Sequence, residues 1–233
     1  MHYDFKKKLN KVDSNQYRNF LVPEIDWALN SAYRLLVKLI AEPRLQNHLG
    51  FETSQRTIDD ISALVVRPES HPRAIISVID NQVILPENYW YFIRARIKAK
   101  KGACTADDLV LRVRRHNDIL EHNPFTTSSF EWRTVNGFFY EDKIVLDDNQ
   151  EDFDNLELRL TYLREPEYIH NAEDSKRGSY KLPDGTLLNG TQDCTVKHLE
   201  DDIVDLAVYL TANEINTSTI ANIANKLALT KIS

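Results

Sequence analysis

Apolar side chains recur at helical spacing near both ends of the chain. In residues 23–42 they fall at every third or fourth position, and Pro23 suits the first turn of a helix. That stripe consists of Ile25, Leu29, Ala32, Tyr33, Leu36, Leu39 and Ile40. Two further stripes, in residues 199–210 and 220–227, follow the same period. Both ends of the chain are therefore predicted to be helical.

Residues 50–65 carry a further set of helix-start signals. Ser54 or Thr57 can accept a hydrogen bond from the first free backbone N–H groups, and Asp59 and Asp60 lie where the helix dipole favours negative charge. Apolar residues at helical spacing follow, and Pro68 ends the helix. None of these side chains can do covalent or metal chemistry by itself, so the segment is interpreted as a docking motif. Its contact residues are Phe51, Glu52, Arg56, Asp59 and Asp60.

Between the helical ends the period changes to two, which is typical of strands with one buried face. In residues 93–100, four apolar side chains (Ile93, Ala95, Ile97 and Ala99) alternate with four cations. β-Branched runs in residues 74–79 and 83–85, joined by Asp80-Asn81-Gln82, predict a hairpin. Further strands are predicted at 109–114, 130–135, 138–146 and 156–163.

The order of helices, strands and helices predicts an α+β fold in which helical N- and C-terminal segments pack together beside a central, mainly antiparallel β-sheet. Residues 1–72 form the N-terminal helical segment, 73–170 the β-rich segment, and 196–233 the C-terminal helices that pack back on the N-terminal ones. The segment 171–195 holds Gly178, Pro183, Gly185 and Gly190 among polar side chains, so it is predicted to be a long exposed loop.

Composition narrows the class of protein. With 233 residues and 42% hydrophobic side chains, the chain can bury a core as one large domain or two small ones. A net charge of −6 argues against general coating of nucleic acid, which needs a surplus of Lys and Arg. Two cysteines, Cys104 and Cys194, are too few for a disulfide scaffold, so free thiols in a reducing compartment are expected. No apolar run predicts a secretory signal or a membrane span.

The sequence contains no motif of a common catalytic site. Its six glycines are too far apart for a phosphate-binding loop, its seven histidines form no pair at metal-protease spacing, and it has no Gly-x-Ser-x-Gly. The carboxylate pairs Asp59-Asp60 and Asp201-Asp202 each fall in the first turn of a predicted helix, where they complement its dipole. The chain is therefore predicted to be no enzyme and to need neither a cofactor nor a metal.

Charge is segregated along the β-rich segment. Residues 94–115 contain eight cations against two acids, whereas residues 141–157 contain eight acids against one cation. The basic patch consists of Arg94, Arg96, Lys98, Lys100, Lys101, Arg112, Arg114 and Arg115. The candidate complementary acidic patch consists of Asp147, Asp148, Glu151, Asp152 and Asp154.

Three interpretations of these patches stay open. In the first, they are ordinary solvated faces of one sheet, paired within the chain. In the second, they are the two complementary surfaces of a head-to-tail contact between identical subunits. In the third, the basic strands face a nucleic acid, which would make binding steeply dependent on salt.

Several segments, taken in order, resemble those of one family. They are EIDWALNSA at 24–32, FETSQRTIDDISALV at 51–65, Asn123-Pro124-Phe125, LTYLREP at 160–166, Cys194, and DDIVDLAV at 201–208. Together they are spread over residues 24–208 and resemble the ring-forming head–tail connector proteins in virions of crAss-like bacteriophages. The chain departs from that family in residues 181–193, an insertion where such proteins commonly have a short segment that contains proline.

The resemblance implies a structural virion protein that assembles in twelve copies below the portal and around the channel through which DNA passes. The implied partners are further copies of the chain, the portal protein and other ring or tail proteins, and DNA or a cargo protein in the channel, with neither a membrane nor a small-molecule substrate. The implied location is the virion, after synthesis in the cytoplasm of the host bacterium. The alternative is a soluble nucleic-acid-binding or accessory module that uses the basic sheet face.

Overall fold

A computed structural model of the chain describes residues 1–12, 20–41, 61–114, 127–147 and 153–215. Within these ranges the fold is mixed α+β, with three α-helices and a large, curled, mainly antiparallel β-sheet, as the sequence predicts. The chain divides into two compact units. The helical unit comprises Met1–Ala63 and Pro166–Ser233, and the sheet unit comprises Leu64–Glu165.

The helical unit contains α1 at His2–Val12, α2 at Val22–Ala41 and α3 at Glu200–Ile215. Helix α3 packs on both α1 and α2. The apolar side chains buried in the unit include Phe5, Leu9, Ile25, Leu29, Tyr33, Ile203, Val204 and Ala207. The predicted helices around 23–42 and 199–210 are therefore confirmed, while the one at 220–227 lies outside the described residues. Within the described ranges, no helix is both long and apolar enough to cross a membrane.

Helix α1 is an addition to the predicted elements. Its buried side chains Phe5 and Leu9 are one helical turn apart, and the Phe5 ring meets the Phe20 ring edge-on with centroids 6.1 Å apart. Nζ of Lys8 also lies 2.7 Å from Oδ1 of Asp205 on α3, and the hydrogen bond to that carboxylate raises the pKa of Lys8. In the sequence, these two buried apolar positions are the only indication of the helix, and two positions are too few to predict one.

The sheet unit holds one eight-stranded sheet. Its strands are β1 (Val65–Val66), β2 (Ile75–Ser77), β3 (Gln82–Ile84), β4 (Tyr89–Lys101), β5 (Cys104–Val113), β6 (Thr134–Tyr140), β7 (Lys143–Leu146) and β8 (Asp154–Arg164). Their order is β1-β8-β4-β5-β6-β7-β3, and β2 also pairs with β8. Strands β5 and β6 are parallel, and the other pairs described are antiparallel.

The alternation predicted for β4 is confirmed except at one position. Ala95, Ile97 and Ala99 are buried in the core with apolar residues of β5 and β8, whereas Ile93 is 48% exposed. The register of β4 against β8 shifts between Phe92 and Arg94, so Phe92 packs against the core instead of Ile93. An irregularity of this kind reverses the two faces of a strand, and the alternating pattern by itself does not reveal it.

The hairpin predicted in residues 74–85 is reduced to its turn. Asp80 and Asn81 have positive φ values of 49° and 56°, and Ile79 and Gln82 exchange backbone hydrogen bonds of 3.0 and 2.8 Å. Beyond the turn the strands diverge, because β2 pairs with β8 while β3 pairs with β7. The prediction that these two runs pair with each other along their length is therefore wrong.

Two of the other predicted strands have different bounds. Strands β6 and β7 form a hairpin whose turn, Glu141-Asp142, lies inside the strand predicted at 138–146. Glu141 has a φ of 53°, a conformation that the sequence does not signal because no Gly or Pro marks it. The strand predicted at 130–135 is likewise wrong for most of its length, since β6 begins at residue 134.

The helix predicted to begin at Ser54 or Thr57 and to end before Pro68 is wrong at its C-terminal end. Ser62–Leu64 forms a single turn of 3-10 helix, and Val65 and Val66 pair with Leu163 and Tyr162 of β8. These β-branched residues join the sheet because β8 offers them a free edge. The rest of the docking motif, with Phe51, Glu52, Arg56, Asp59 and Asp60, lies outside the described residues.

The segment 171–195, predicted to be a long loop, contains regular structure. Its antiparallel pairs are β9 (His170–Asn171) with β12 (Thr191–Gln192), and β10 (Ser179–Lys181) with β11 (Leu187–Asn189). Gly185 and Gly190 adopt φ values of 90° and 71° beside these strands, and Ala172, Leu188 and Cys194 are buried. The loop prediction is wrong because the glycines mark turns between short strands. Further 3-10 turns lie at Pro72–Ala74, Ala172–Asp174 and Lys197–Leu199.

Candidate functional site

A buried carboxylate organises the polar interior of the helical unit. Asp26 lies in α2 with none of its surface exposed. Its Oδ1 lies 2.5 Å from Nε2 of His2 on α1, and its Oδ2 accepts hydrogen bonds from the Tyr180 hydroxyl at 2.5 Å and the Asn171 backbone N–H at 3.3 Å. Both carboxylate oxygens therefore have partners, as the burial of a charged group requires.

Asn30, one helical turn after Asp26, extends this network. Its side-chain amide donates to the backbone carbonyls of Asp26 and Ile169, each at 2.7 Å, and its Oδ1 accepts from the Ile169 N–H at 2.8 Å. These bonds tie α2 to a segment that lies 139 residues away along the chain. The sequence signal for the network is a pair of polar residues four apart inside an apolar stripe, which is too weak to predict it.

Two tyrosines of the helical unit respond to this network. Burial, the hydrogen bond to Asp26 and the charge of Asp26 raise the pKa of Tyr180 well above its usual range. Burial and the charge of Asp26 also raise the pKa of Tyr168. Ionising either hydroxyl would place a second negative charge beside a buried carboxylate, so both hydroxyls are held in the protonated form.

We expect the helical unit to lose stability as the pH rises above about 10, the ordinary pKa of tyrosine. The folded chain keeps a proton on Tyr180 that the unfolded chain releases, so this stabilisation is complete below the unfolded pKa and is lost as the pH rises towards the folded pKa. The alkaline loss should be shallower in Tyr180→Phe, measured as the urea unfolding free energy at pH values from about 8 to about 11. Tyr209→Phe, which removes an exposed hydroxyl from α3, should keep the wild-type slope. Equal slopes in Tyr180→Phe and the wild type would contradict this explanation.

The predicted basic patch lies mainly on one face of the sheet unit. Along β4, Arg94, Arg96, Lys98 and Lys100 occupy positions between the buried residues Ala95, Ile97 and Ala99, so they point away from the core. Lys101 ends β4, Arg112 is exposed on β5 and Arg114 follows that strand. Arg115 lies outside the described residues.

Some cations of this face are paired within the chain. Nζ of Lys101 donates to Oε1 of Glu131 at 3.0 Å, and this hydrogen bond holds the pKa of the Glu131 carboxyl below its usual range. Nζ of Lys98 lies 3.9 Å from Oδ1 of Asp107, at the outer limit of an ion pair. The surface exposure of these groups means that such pairs add little to stability.

Other cations of the face are not paired in this way. Arg94, Arg96, Lys100 and Arg112 form no ion pair with any other residue that the structure describes. Within the described part of the chain, the charge of these four side chains is therefore not neutralised by an ion pair.

Two residues of the candidate acidic patch are described, and one of them lies beside a cation. Asp154 begins β8 directly opposite Lys100 of β4, and Asp147 follows β7, where its backbone carbonyl accepts a hydrogen bond from the Ser128 hydroxyl at 3.1 Å. Asp148, Glu151 and Asp152 lie outside the described residues. Asp154 thus lies beside the basic residues of the sheet.

Strand β8 contributes a cation that the predicted basic patch does not include. Arg159 lies between the buried residues Leu158 and Leu160, directly opposite Arg96 of β4. The alternation in 156–163 predicts a strand, but it does not say which strand pairs with it. Only the register of β8 against β4 brings Arg159 to the basic face.

A polar cleft of about 460 Å³ opens in the helical unit. Its lining includes His2, His170, Asp193, Lys197 and Glu200. Because acidic and basic side chains are both present, the cleft selects neither for anions nor for cations. Within the described ranges, no three His, Cys, Asp or Glu side chains come together as metal ligands. Both cysteines are free, and burial raises the pKa of the Cys194 thiol.

Comparison of the sequence with known protein families and with curated proteins finds no match. The resemblance to head–tail connector proteins therefore stays a prediction, carried by the ordered segments quoted above.

Proposed function

We propose that the chain is a non-enzymatic structural subunit of a twelve-membered ring in the head–tail connector or tail barrel of a bacteriophage virion, below the portal and around the DNA channel. The ordered segments that resemble this family support the ring, its copy number and its location. One structural observation supports the more general part of the proposal, which is self-assembly. Large aromatic side chains are exposed in both units.

Two of the chain's three tryptophans are largely exposed, with 57% of Trp27 and 83% of Trp132 accessible. Trp27 lies on α2 beside a mainly apolar cleft of about 370 Å³, lined by Phe20, Pro23 and Ala28 among others. Tryptophan is among the residues that contribute most to protein–protein binding once an interface buries it. Together with this cleft, the exposed Trp27 ring forms a larger apolar surface, which is typical of an interaction site.

Trp27 lies in the helical unit and Trp132 in the sheet unit, so each unit exposes one of these tryptophans. A head-to-tail contact in a closed ring needs two different surfaces on every subunit, one for each neighbour. A two-fold dimer would need only one self-complementary surface. One exposed tryptophan in each unit is compatible with a head-to-tail contact of this kind.

We expect the purified chain to form closed rings, alone or with portal and neighbouring ring proteins, in negative-stain micrographs and in sedimentation velocity. Trp27→Ala and Trp132→Ala should each weaken self-association by about thirtyfold or more, because truncating such an anchor costs about 2 kcal/mol or more of binding free energy.

Arg177→Ala is the matched control for these variants, since it removes another large exposed side chain, and it should assemble like the wild type. A chain that stays monomeric both alone and with the portal and neighbouring ring proteins would contradict the proposal. Rings that form equally well in both tryptophan variants would show that other surfaces hold the subunits together.

A further inference from the structure

A row of four side chains crosses the outer face of the sheet unit. The strand register places Ile75 of β2 opposite Arg159 of β8, Arg159 opposite Arg96 of β4, and Arg96 opposite Val110 of β5. Ile75 and Val110 are 43% and 50% exposed, and Arg96 is exposed as well. Two arginines therefore lie side by side at the centre of an open sheet surface.

Two cations in directly opposite positions repel each other, because their Cβ atoms are only about 4.5–5.5 Å apart. Among the described residues, neither Arg96 nor Arg159 has an ion pair or a side-chain hydrogen bond that would offset this repulsion. The neighbouring acids face other cations. Oδ2 of Asp108 accepts a hydrogen bond from Arg133 at 2.6 Å, and Glu157 lies opposite Lys98.

Two further arginines border this pair. Arg94 lies two residues along β4 from Arg96, and Arg112 lies two residues along β5 from Val110, on the side of Arg94 because the strands are antiparallel. Diagonal neighbours on a sheet are about 7–8 Å apart, within reach of long side chains. Arg94, Arg96, Arg112 and Arg159 are called the arginine cluster below.

We propose that the arginine cluster binds the phosphodiester groups of a nucleic-acid backbone. The planar guanidinium group presents paired N–H donors that match the oxygens of a phosphate, and a phosphate bound between Arg96 and Arg159 attracts both side chains and so offsets their mutual repulsion. The chemical class of the ligand is therefore a multiply charged oxyanion.

The spacing of the cations favours a nucleic acid over an acidic protein surface. Residues 94, 96, 98 and 100 carry a cation at every second position of β4, which repeats about every 6.7 Å along a strand. Such regular charge suits a polymer with evenly spaced phosphates. Of the five acids expected to supply a complementary surface on a second copy, Asp154 lies beside Lys100 on the adjacent strand. This inference goes beyond the proposed ring, since a single chain presents the whole cluster.

Fluorescence anisotropy of labelled single-stranded and duplex oligonucleotides, titrated with the full chain over a range of salt, tests the proposal. The wild type should bind with an affinity that falls steeply with salt. In Arg96→Ala/Arg159→Ala, binding at low salt should weaken at least about tenfold, and the slope of log affinity against log salt should decrease by about two for the duplex, one for each lost phosphate contact.

The control is Lys176→Ala/Arg177→Ala, which removes the same charge from exposed positions of the helical unit and should leave the slope unchanged. Wild-type binding that is absent or independent of salt overturns the proposal, and so does an equal loss in the control. Lost self-association in the arginine variant with unchanged oligonucleotide binding also overturns it, because the cluster would then be a protein interface. If the chain binds oligonucleotides but does not form rings, the ring proposal is wrong and the binding proposal is supported.

Discussion

Replacing Asp26 by alanine is expected to lower the free energy of unfolding of the helical unit by about 3–5 kcal/mol. The substitution removes the shared acceptor of three donors, the His2 ring, the Tyr180 hydroxyl and the Asn171 N–H. Each donor left unpaired in the interior costs about 1–3 kcal/mol. Because a domain is stable by only about 5–15 kcal/mol, this one change should leave the helical unit close to unfolding.

Native-state hydrogen exchange read by mass spectrometry can localise this loss. Peptides from α1, α2 and residues 169–180 should lose protection in Asp26→Ala, since the network ties these segments together. Peptides from β4 and β8 should keep theirs, because these strands belong to the sheet unit. Exchange therefore separates a local effect from general unfolding.

Asp202→Ala provides the comparison for this experiment. It removes an exposed carboxylate from the first turn of α3, where the helix dipole makes it worth only about 0.3–1 kcal/mol. Equal losses in Asp26→Ala and Asp202→Ala would contradict the prediction, because the buried network would then contribute no more to stability than a surface charge.

The elements that the sequence predicted correctly are those whose signal is local and repeated. Helix α2 follows from an apolar stripe that recurs through five turns, and β4 follows from alternation over several residues. Helix α1 has only Phe5 and Leu9 to signal it. Period alone is also insensitive to a register shift, and for that reason Ile93 was placed on the wrong face.

Strand partners were beyond prediction because pairing depends on the whole sheet. The runs that flank Asp80-Asn81 have the turn of a hairpin, yet each finds a stronger partner elsewhere, in β8 or β7. The parallel pairing of β5 with β6 has no local signal either. The pairing of strands therefore depends on which edges are free in the assembled sheet, and a local pattern in the sequence does not contain that information.

The residues of the basic face also differ in whether a local pattern could predict their position. Alternation predicted that the four cations of β4, at positions 94, 96, 98 and 100, lie on the face away from the core, and they do, because the alternate residues Ala95, Ile97 and Ala99 are buried. Arg159 could not be assigned to that face, because its neighbour Arg96 is more than sixty positions away and the two meet only through the register. The buried network has the same character, with Asp26 and Tyr180 separated by 154 residues. Both the arginine cluster and the Asp26 network therefore depend on contacts between residues that are far apart in the sequence.

Gly137→Val is expected to lower the free energy of unfolding of the sheet unit by about 2–3 kcal/mol through overpacking. A Cβ at this position would lie 3.0 Å from the carbonyl oxygen of Val145 and 3.0 Å from Cδ1 of Leu111. The backbone oxygen cannot move without disturbing the pairing of β6 with β7, in which Gly137 lies opposite Leu146. Urea unfolding, with hydrogen exchange of β5 and β6 peptides, measures the effect.

Gly102 is the control for Gly137→Val, because backbone conformation and not close packing explains the glycine at this position. A Cβ there would meet nothing within 4 Å, but the residue has a φ of 58°. Asparagine adopts this conformation readily, so Gly102→Asn should change stability by no more than about 0.5 kcal/mol. A Gly137→Val chain as stable as the wild type would show that the close contacts at β6 relax without cost.

The same substitution should also weaken oligonucleotide binding, although it changes no charge. Strand β5 runs parallel to β6 with Val113 opposite Gly137 and Arg112 opposite Asn136, so a larger side chain at 137 displaces the end of β5 that carries Arg112. Arg112 then no longer lies diagonally across from Arg96. We expect Gly137→Val to lower affinity for the labelled duplex while Gly102→Asn retains it. That result would show that the arginine cluster depends on the packing of the sheet as well as on its net charge.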